Sequence, residues 1–253
     1  MKMSGSRFYG SFLASVVNLS TLSFGVHKRR RILLQVDSRI QDHLIRPEFY
    51  EAETIEWLHG LSDGSHVLWD IGANIGAYSL YAAKRFDCQV IAFEPAAASY
   101  EALNKNIRAS GLENRITALP VALCATTKID HLNMGSFDAG SAMHGFGVHV
   151  DQFGSAITTK FRQGAVGFSI DDFVRIFRPP LPGYIKIDVD GLEPEIIRGG
   201  RETLSAPNVR SVIMEMEGSE ARLSELFELM ASLGFVARAK RKDEHRNVAF
   251  DRR

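Results

Sequence analysis

The feature that most constrains the fold is a glycine-rich turn between a predicted strand and a predicted helix. Residues 66–71 have the pattern of a buried strand, the turn G-A-N-I-G runs from Gly72 to Gly76, and residues 77–85 have a helical pattern. Glycine adopts backbone conformations that a side chain forbids, and without a Cβ atom it lets a ligand lie against the main chain. A strand, a tight glycine turn and a helix in this order predict a nucleoside-binding unit.

Two acidic residues near the turn narrow the class of ligand. Dinucleotide folds use G-x-G-x-x-G, whose glycines face a pyrophosphate, but the third glycine is missing here, and Asp70 would repel a pyrophosphate. The Asp70 carboxylate suits the amino group of a methionine moiety, directly or through water. Glu94 ends the next predicted strand, 18 residues after Gly76, where a carboxylate can accept both ribose hydroxyls. The alternative is that both acids cap the helices that follow them. The predicted cofactor-binding residues of this unit are Asp70, Gly72, Asn74, Gly76 and Glu94.

The rest of the chain alternates short apolar runs with amphipathic stretches, which predicts a Rossmann-like α/β fold with helices on both faces of a mostly parallel sheet. Helical patterns at residues 96–110 and 219–233 each stop at a glycine. Residues 235–240 and 247–251 predict an antiparallel hairpin at the end of the sheet. The predicted parallel strands are 66–71, 89–93, 116–123, 184–189 and 209–216.

Composition excludes several classes of protein. Lys plus Arg and Asp plus Glu number 30 each, so no global basic field favours a nucleic-acid partner. Cys88 and Cys124 are the two cysteines, too few for a disulfide framework. We expect both to be small buried residues, with a reactive thiol as the alternative. No apolar run reaches about 18 residues, so we expect no transmembrane segment and a cytoplasmic protein.

The N-terminal segment differs from the rest of the chain. Residues 1–36 contain no Asp or Glu and carry the basic block 28–31, which leaves a targeting peptide or a membrane-surface arm open. We predict a peripheral extension over residues 1–46 and a catalytic domain over residues 47–253.

Two sequence blocks resemble the FkbM-type methyltransferases, a branch of the class I S-adenosylmethionine-dependent fold. They are V-L-W-D-I-G-A-N-I-G-A-Y-S-L-Y-A-A at residues 67–83 and Y-I-K-I-D-V-D-G-L-E-P-E-I-I-R-G-G at 184–200. Three shorter pieces support them: F-Y-E-A-E-T at 49–54, F-E-P at 93–95 and S-I-D-D-F at 169–173. The resemblance covers roughly residues 48 to 236, a span judged by motif placement.

The resemblance implies a seven-stranded sheet whose last strand is antiparallel. It also implies S-adenosyl-L-methionine as the cofactor and O-methylation of a hydroxyl on a sugar, glycolipid or secondary metabolite. This chain departs from the family pattern at two places. Cys124-Ala125 follows the third strand, where the family often has an acid, so the adenine contact is unassigned, and Asp190 stands where Glu is usual.

Methyl transfer to a hydroxyl requires a group that accepts the hydroxyl proton. Asp188 is the first candidate for this base and also a candidate cofactor contact, because it ends the fourth strand on the side where open α/β sheets hold ligands. Lys186, two residues earlier, shares its face, and Glu215 could orient an acceptor from the fifth strand. Asp190 and Glu193 either crowd the site or cap the next helix.

Residues 135–167 are the least regular part of the pattern and contain seven glycines, which predicts a lid. The predicted acceptor frame is Phe137, Met143, His144, Phe146 and His149. We expect no metal, since His144, His149 and Asp151 form only a weak ligand pattern. A nicotinamide-dependent oxidoreductase and a non-catalytic nucleoside-binding module remain the alternatives, the first opposed by Asp70 and the missing third glycine.

Overall fold

A seven-stranded sheet with helices on both faces forms the centre of the molecule. The computed structural model describes residues 51–61, 66–151, 153–238 and 247–253, together with the backbone of 20–25 and 31–36. The strands of the central sheet are β3 (Val67–Ile71), β4 (Gln89–Phe93), β5 (Ile116–Leu119), β10 (Tyr184–Ile187), β11 (Ser211–Glu215), β12 (Phe235–Ala237) and β13 (Asn247–Arg252). The helices are α1 (Ala52–Leu58), α2 (Ala77–Phe86), α3 (Ala97–Ser110), α4 (Ile170–Phe177), α5 (Glu193–Arg198), α6 (Arg201–Ser205) and α7 (Glu220–Ser232).

The spatial order of the central sheet is β12-β13-β11-β10-β3-β4-β5. Neighbouring strands from β11 to β5 run parallel, whereas β13 is antiparallel to both β11 and β12. This order confirms the predicted class I methyltransferase sheet and its antiparallel C-terminal hairpin. The chain moves from β3 outward to β5 and later returns to β10, so the order reverses beside β3, where open α/β sheets hold their ligands.

Alternation along β3 separates two apolar layers. Trp69 and Ile71 face one core together with α4 to α7, while Leu68 faces the other core together with α1, α2 and α3. Successive side chains of a strand point to opposite faces, so a strand buried on both sides needs apolar residues at almost every position. This is why the continuous apolar runs of the sequence located the parallel strands, although β10 and β11 are shorter than the predicted 184–189 and 209–216.

The predicted third strand, residues 116–123, is wrong in its second half. Strand β5 ends at Leu119, and Pro120 separates it from a short strand, β6 (Ala122–Leu123). Proline has no N–H to donate to a ladder, so the chain leaves the central sheet at this point. Strand β6 instead pairs with a strand of a second sheet.

The prediction that residues 135–167 are irregular holds for residues 135–143 and most of 147–160, but not for the whole segment. Its remaining parts supply two strands, β8 (His144–Phe146) and the start of β9 (Phe161–Phe168), to a four-stranded sheet of order β6-β9-β7-β8 that also contains β7 (Lys128–Met134). Gly167 is required for packing in this sheet, because a Cβ atom there would lie 2.3 Å from the Phe146 ring. Leu132, Met134 and Phe146 are buried in the core, so this sheet is docked on the central one.

Both cysteines are free and buried, as predicted. Burial raises the pKa of the Cys88 thiol to about 11 and also raises that of Cys124. Both are therefore protonated at neutral pH and are poor nucleophiles.

The N-terminal part of the described chain forms a separate two-stranded sheet. Strands β1 (Ser20–Gly25) and β2 (Arg31–Val36) pair antiparallel. Most of the basic block 28–31 lies outside the described residues. The boundary at residue 46 stays a prediction. Among the described helices, none has the length and apolarity required to cross a membrane.

Candidate functional site

A cavity of about 250 Å³ lies at the carboxyl ends of β3, β4, β10 and β11, and the second sheet forms its opposite wall. Each of the strand ends contributes the residues that directly follow it. The polar and charged residues that line the cavity are Glu51, Asn74, Tyr78, Glu94, Ser141, His144, Lys186, Asp188, Asp190 and Glu215.

The glycine turn forms the floor of this cavity. Gly72 has a φ of +79°, and a Cβ atom there would lie 1.9 Å from the carbonyl oxygen of Asp188. The N–H groups of Gly72 and Ala73 both donate to the Phe93 carbonyl, at 3.0 Å each. The turn therefore joins the loops after β3, β4 and β10, and only glycine fits at its first position.

Glu94 lies in the wall of the cavity next to the turn. Its two carboxylate oxygens accept hydrogen bonds from the N–H groups of Asn74 (2.7 Å) and Ala96 (2.8 Å). The carboxyl is buried, and burial raises its pKa to about 7. Helix α3 begins after Ala96 without a side-chain cap, so the capping alternative is wrong for Glu94. A carboxylate oxygen accepts more than one hydrogen bond, which leaves capacity for a ligand.

Asp70 lies behind the cavity wall rather than in it. Alternation places its side chain on the same face as Leu68, beneath α2, where Ser79 Oγ donates to Oδ2 at 2.6 Å. Burial raises the pKa of Asp70, and the Lys186 ammonium opposes this shift. Ser79 is the third residue of α2 and bonds Asp70 through its backbone as well as its hydroxyl, so Asp70 stabilises the first turn of α2 in the way that the capping alternative describes. A direct contact between Asp70 and a cofactor in the cavity is therefore not supported.

Lys186 and Asp188 form an ion pair at the centre of the site, with Nζ and Oδ2 2.7 Å apart. The lysine is almost completely buried, whereas the aspartate side chain is about one third exposed, at 32%. Burial alone would lower the pKa of Lys186, but the carboxylates of Asp188 and Asp70 raise it above its ordinary value. The ammonium also lies 4.7 Å from the centre of the Tyr78 ring. Lys186 is therefore a fixed charge that orients Asp188 towards the cavity.

The two acids after Asp188 have different environments. Asp190 has a φ of +53° and accepts the N–H of Met143 at 2.6 Å, and burial together with the Asp188 charge raises its pKa to about 6. Glu193 accepts N–H groups of the loop that precedes it and pairs with Arg222 at 2.7 Å. Glu193 thus stabilises the loop, while Asp190 holds the opposite wall.

Glu215 ends β11 and lines the far side of the cavity. Within the described part of the chain its carboxyl group makes no hydrogen bond or ion pair. Burial raises its pKa to about 8, and the negative charge of Asp188 adds to the shift. A carboxyl of this kind exchanges a proton near neutral pH.

Residues 138–144, which we term the strap, line the cavity opposite the glycine turn and are bonded to two loops of the central sheet and to helix α3. Asp190 holds Met143, Ser99 Oγ accepts the Gly140 N–H at 3.2 Å, and Asn74 Nδ2 donates to the Ser141 carbonyl at 3.5 Å. The strap covers the site as the predicted lid would.

Of the predicted acceptor frame, only part lines the cavity. His144 and Phe146 do, whereas Phe137 (51% exposed) and Met143 (43%) face solvent, and His149 is also exposed. The cavity wall beside Glu94 is apolar. It is formed by Phe93, at the end of β4, and by residues of and just before β6, namely Val121, Ala122 and Leu123.

Sequence reasoning missed Glu51 and Tyr78 as parts of the site. The Tyr78 hydroxyl donates to Glu51, and burial raises the pKa of this phenol well above its ordinary value. Glu51 stood in one of the quoted sequence blocks, but no local pattern showed that the segment before α1 reaches the cavity. Tyr78 follows the glycine turn directly, which was the one available signal.

Comparison with known proteins gives a consistent result. Residues 70–237 match the family described as the methyltransferase FkbM domain. The hexuronic acid methyltransferase AglP of Haloferax volcanii is 28% identical over 206 residues, which cover 76% of this chain and 78% of that protein. The methyltransferase sdnD of Sordaria araneosa is 24% identical over 191 residues, which cover 66% and 72%.

A solved structure agrees in fold. The crystal structure of methyltransferase FkbM from Methylobacillus flagellatus superimposes with a TM-score of 0.50 at 17% identity and covers 83% of this chain. The present chain spans only 53% of the length of that protein.

Proposed function

Because the chain belongs to the FkbM methyltransferase family, we propose that it transfers the methyl group of S-adenosylmethionine to a hydroxyl of a sugar, glycolipid or secondary metabolite. The relative from Haloferax volcanii is a hexuronic acid methyltransferase, which supports a carbohydrate acceptor. The observation that carries the proposal is the charge of the cavity lining.

Carboxylates outnumber cations in this lining. Glu94, Asp188, Asp190 and Glu215 face the cavity, whereas Lys186 is the one cationic side chain among the described lining residues and is already paired. S-adenosylmethionine carries a sulfonium, an ammonium and one carboxylate, so its net charge is positive. Opposite charges attract strongly in a partly desolvated site. The pyrophosphate of a nicotinamide cofactor would be repelled, which disfavours the oxidoreductase alternative.

The geometry supports one orientation of the cofactor. The ribose hydroxyls would donate to Glu94, the adenine would lie against the apolar wall that contains Phe93 and Leu123, and the sulfonium would lie over Gly72 beside Asp188. This orientation places the methyl group towards Glu215. An acceptor oxygen must then approach in line with the carbon–sulfur bond, at about 3–3.5 Å from the methyl carbon.

Two carboxylates could accept the proton of the acceptor hydroxyl. Asp188 is held in an ion pair with Lys186, whereas Glu215 has no such partner among the described residues and its pKa is raised to about 8 by burial and neighbouring charges. A base acts best when its pKa lies near the working pH. We therefore assign proton acceptance to Glu215 and orientation of the acceptor hydroxyl to Asp188.

Calorimetric titration with S-adenosylmethionine tests the cofactor assignment. Replacing Glu94 by alanine removes two charge-assisted hydrogen bonds to the ribose, each worth about 1.5 kcal/mol, so we expect affinity to fall about 100-fold. Glu101→Ala, on the exposed surface of α3, is the matched control and should bind as the wild type does. Equal affinity of the Glu94 variant and the wild type would remove Glu94 from the site.

The same titration should depend on pH. Because the folded protein holds the pKa of Glu94 at about 7, the carboxyl is ionised above that pH and accepts the ribose hydroxyls. As the pH falls through 7 it becomes protonated, so affinity should fall by up to about tenfold per pH unit. The Glu94→Gln variant, which cannot titrate, should show a shallower dependence between about pH 8 and about pH 6. The assignment fails if both proteins have the same pH profile.

A further inference from the structure

One end of the cavity lies beyond the reach of the ribose and adenine. Glu215 ends β11, and two strands, β10 and β3, separate β11 from β4, which carries Glu94. Neighbouring strands lie about 4.8 Å apart, so the two strand ends are about 14 Å apart. The sulfur of S-adenosylmethionine is bonded directly to the ribose C5′ atom and therefore lies well short of Glu215. This far end is available to the acceptor.

Glu51 stands at this far end and is fixed in position. Thr54 Oγ1 and Asn247 Nδ2 both donate to its Oε2 atom, at 3.2 and 3.0 Å, and the Tyr78 hydroxyl donates to the same carboxylate. Asn247 is paired with Glu215 in the β11–β13 register, which places Glu51 and Glu215 at the same edge of the sheet. Tyr78 is only 8% exposed, Glu51 is half-buried, and both line the cavity.

Resting on the methyl transfer proposed above, we propose that Glu51, supported by Asn247 and Tyr78, binds a second hydroxyl of an uncharged, polyhydroxylated acceptor, and that the site rejects a carboxylate as the methyl-accepting group. Glu51 and Asn247 both lie outside residues 70–237, the range that matches the family. The segments on either side of that range therefore supply two of the three subsite residues, and Tyr78 supplies the third from within it.

The charges at this end explain the preference for an uncharged acceptor. Hydroxyl groups donate hydrogen bonds to Glu51 and Asp188, whereas a carboxylate would add a negative charge beside these two. The Lys186 ammonium does not offset that charge, because it already lies between Asp188 and Asp70. Like charges brought together in a partly desolvated cavity repel strongly. The acceptor inferred for this chain is therefore a compound methylated on a hydroxyl group and not an acid methylated on its carboxylate.

The test compares wild type with Glu51→Gln over a dilution series of extract from the cells that produce the protein, with tritiated S-adenosylmethionine in excess. Loss of one charge-assisted hydrogen bond should raise the half-saturating amount of extract about tenfold. The plateau rate should stay within about twofold, because the reacting groups are unchanged. Tyr78→Phe should shift the half-saturating amount in the same direction. Glu53→Gln, two residues away in the first turn of α1, is the matched control and should behave as the wild type.

Calorimetry with S-adenosylmethionine separates the alternatives. Unchanged cofactor affinity of Glu51→Gln supports the subsite, whereas a tenfold or larger loss would mean that Glu51 holds the methionine part of the cofactor. An unshifted half-saturating amount would also overturn the proposal.

The chemical stability of the label tests the rejection of carboxylates. A methyl ether survives mild alkali, so we expect the label to remain on the product. A methyl ester releases labelled methanol, and that result would overturn this part of the proposal. If the wild type yields no labelled product at all, the proposed methyl transfer is wrong. That outcome is distinct from an alkali-labile label or an unshifted half-saturating amount, which would overturn the acceptor subsite alone.

Discussion

Replacing Glu215 by glutamine is expected to lower the rate constant for methyl transfer by about 10² to 10⁴, the usual contribution of a general base. Glutamine keeps the size and shape of the side chain but cannot accept a proton. In the wild type the rate should rise with pH until it levels off above about 8, because the carboxyl becomes an available base as it ionises. The variant should lose this rise. Single-turnover assays with tritiated S-adenosylmethionine measure both effects.

Two controls make the assignment of the base specific. Glu113→Gln changes an exposed glutamate on the loop after α3 and should leave the rate constant unchanged. Asp188→Asn removes the orienting carboxylate but leaves Glu215, so its pH profile should keep a rise, moved to lower pH because the Asp188 charge no longer raises the pKa of Glu215, even though its rate is lower. If Asp188→Asn abolishes that rise and Glu215→Gln keeps it, the base is Asp188.

Replacing Gly72 by alanine is expected to destabilise the fold by about 2 to 5 kcal/mol, a large part of the roughly 5–15 kcal/mol of a typical domain. The left-handed backbone conformation costs a residue with a Cβ atom about 1–2 kcal/mol. The added methyl group would also overlap the Asp188 carbonyl, 1.9 Å away. The main chain fixes the position of the Cβ atom, and the atom that it overlaps is a main-chain oxygen. Relieving the overlap therefore requires separating the loops after β3 and β10, and such overpacking lowers stability by about 1–3 kcal/mol more. Urea denaturation measures the loss.

Gly111→Ala is a closely matched comparison for this prediction. Gly111 has a φ of +64°, and a Cβ atom there would meet nothing within 4 Å. Its loss of stability should therefore equal the conformational cost alone, about 1–2 kcal/mol. Equal losses for the two variants would show that the contact between the turn and Asp188 is not tight. A larger loss at Gly72 isolates the steric contribution.

Much of the central sheet could be predicted from sequence because its strands are buried on both faces. Continuous apolar runs such as residues 89–93 have few alternatives to a parallel strand. The positions of Gly72, Glu94 and Asp188 followed directly, because each stands at or just after the carboxyl end of such a run. The glycine turn and the acid after the second strand are local features, and local features are readable in a single sequence.

The second sheet could not be predicted because only one of its faces is apolar. Strand β7 reads K-I-D-H-L-N-M and strand β9 reads F-R-Q-G-A-V-G-F, with polar residues and glycines that resemble loop composition. Gly167 is small because the Phe146 ring occupies the space beside it. That reason is a tertiary contact, and nothing in the local sequence shows it.

Two features of the site could not be predicted from sequence, because they depend on contacts between distant parts of the chain. Asp70 was expected to face the cofactor, but its place in the strand alternation directs it beneath α2 to Ser79. Glu51 is joined to Asn247, which lies 196 residues away. Such pairs follow from the order of strands in the sheet, so they become visible only once the topology is known.

The most direct test of the proposed activity is to incubate the protein with tritiated S-adenosylmethionine and extract from the cells that produce it, and to fractionate the labelled products. We predict a labelled small-molecule or carbohydrate product that depends on the protein, is reduced at least about 100-fold with Glu215→Gln, and keeps its label in mild alkali. Absence of labelled product from wild type, in an extract where a control methyltransferase is active, together with binding of NADH in place of S-adenosylmethionine, would contradict the proposed function.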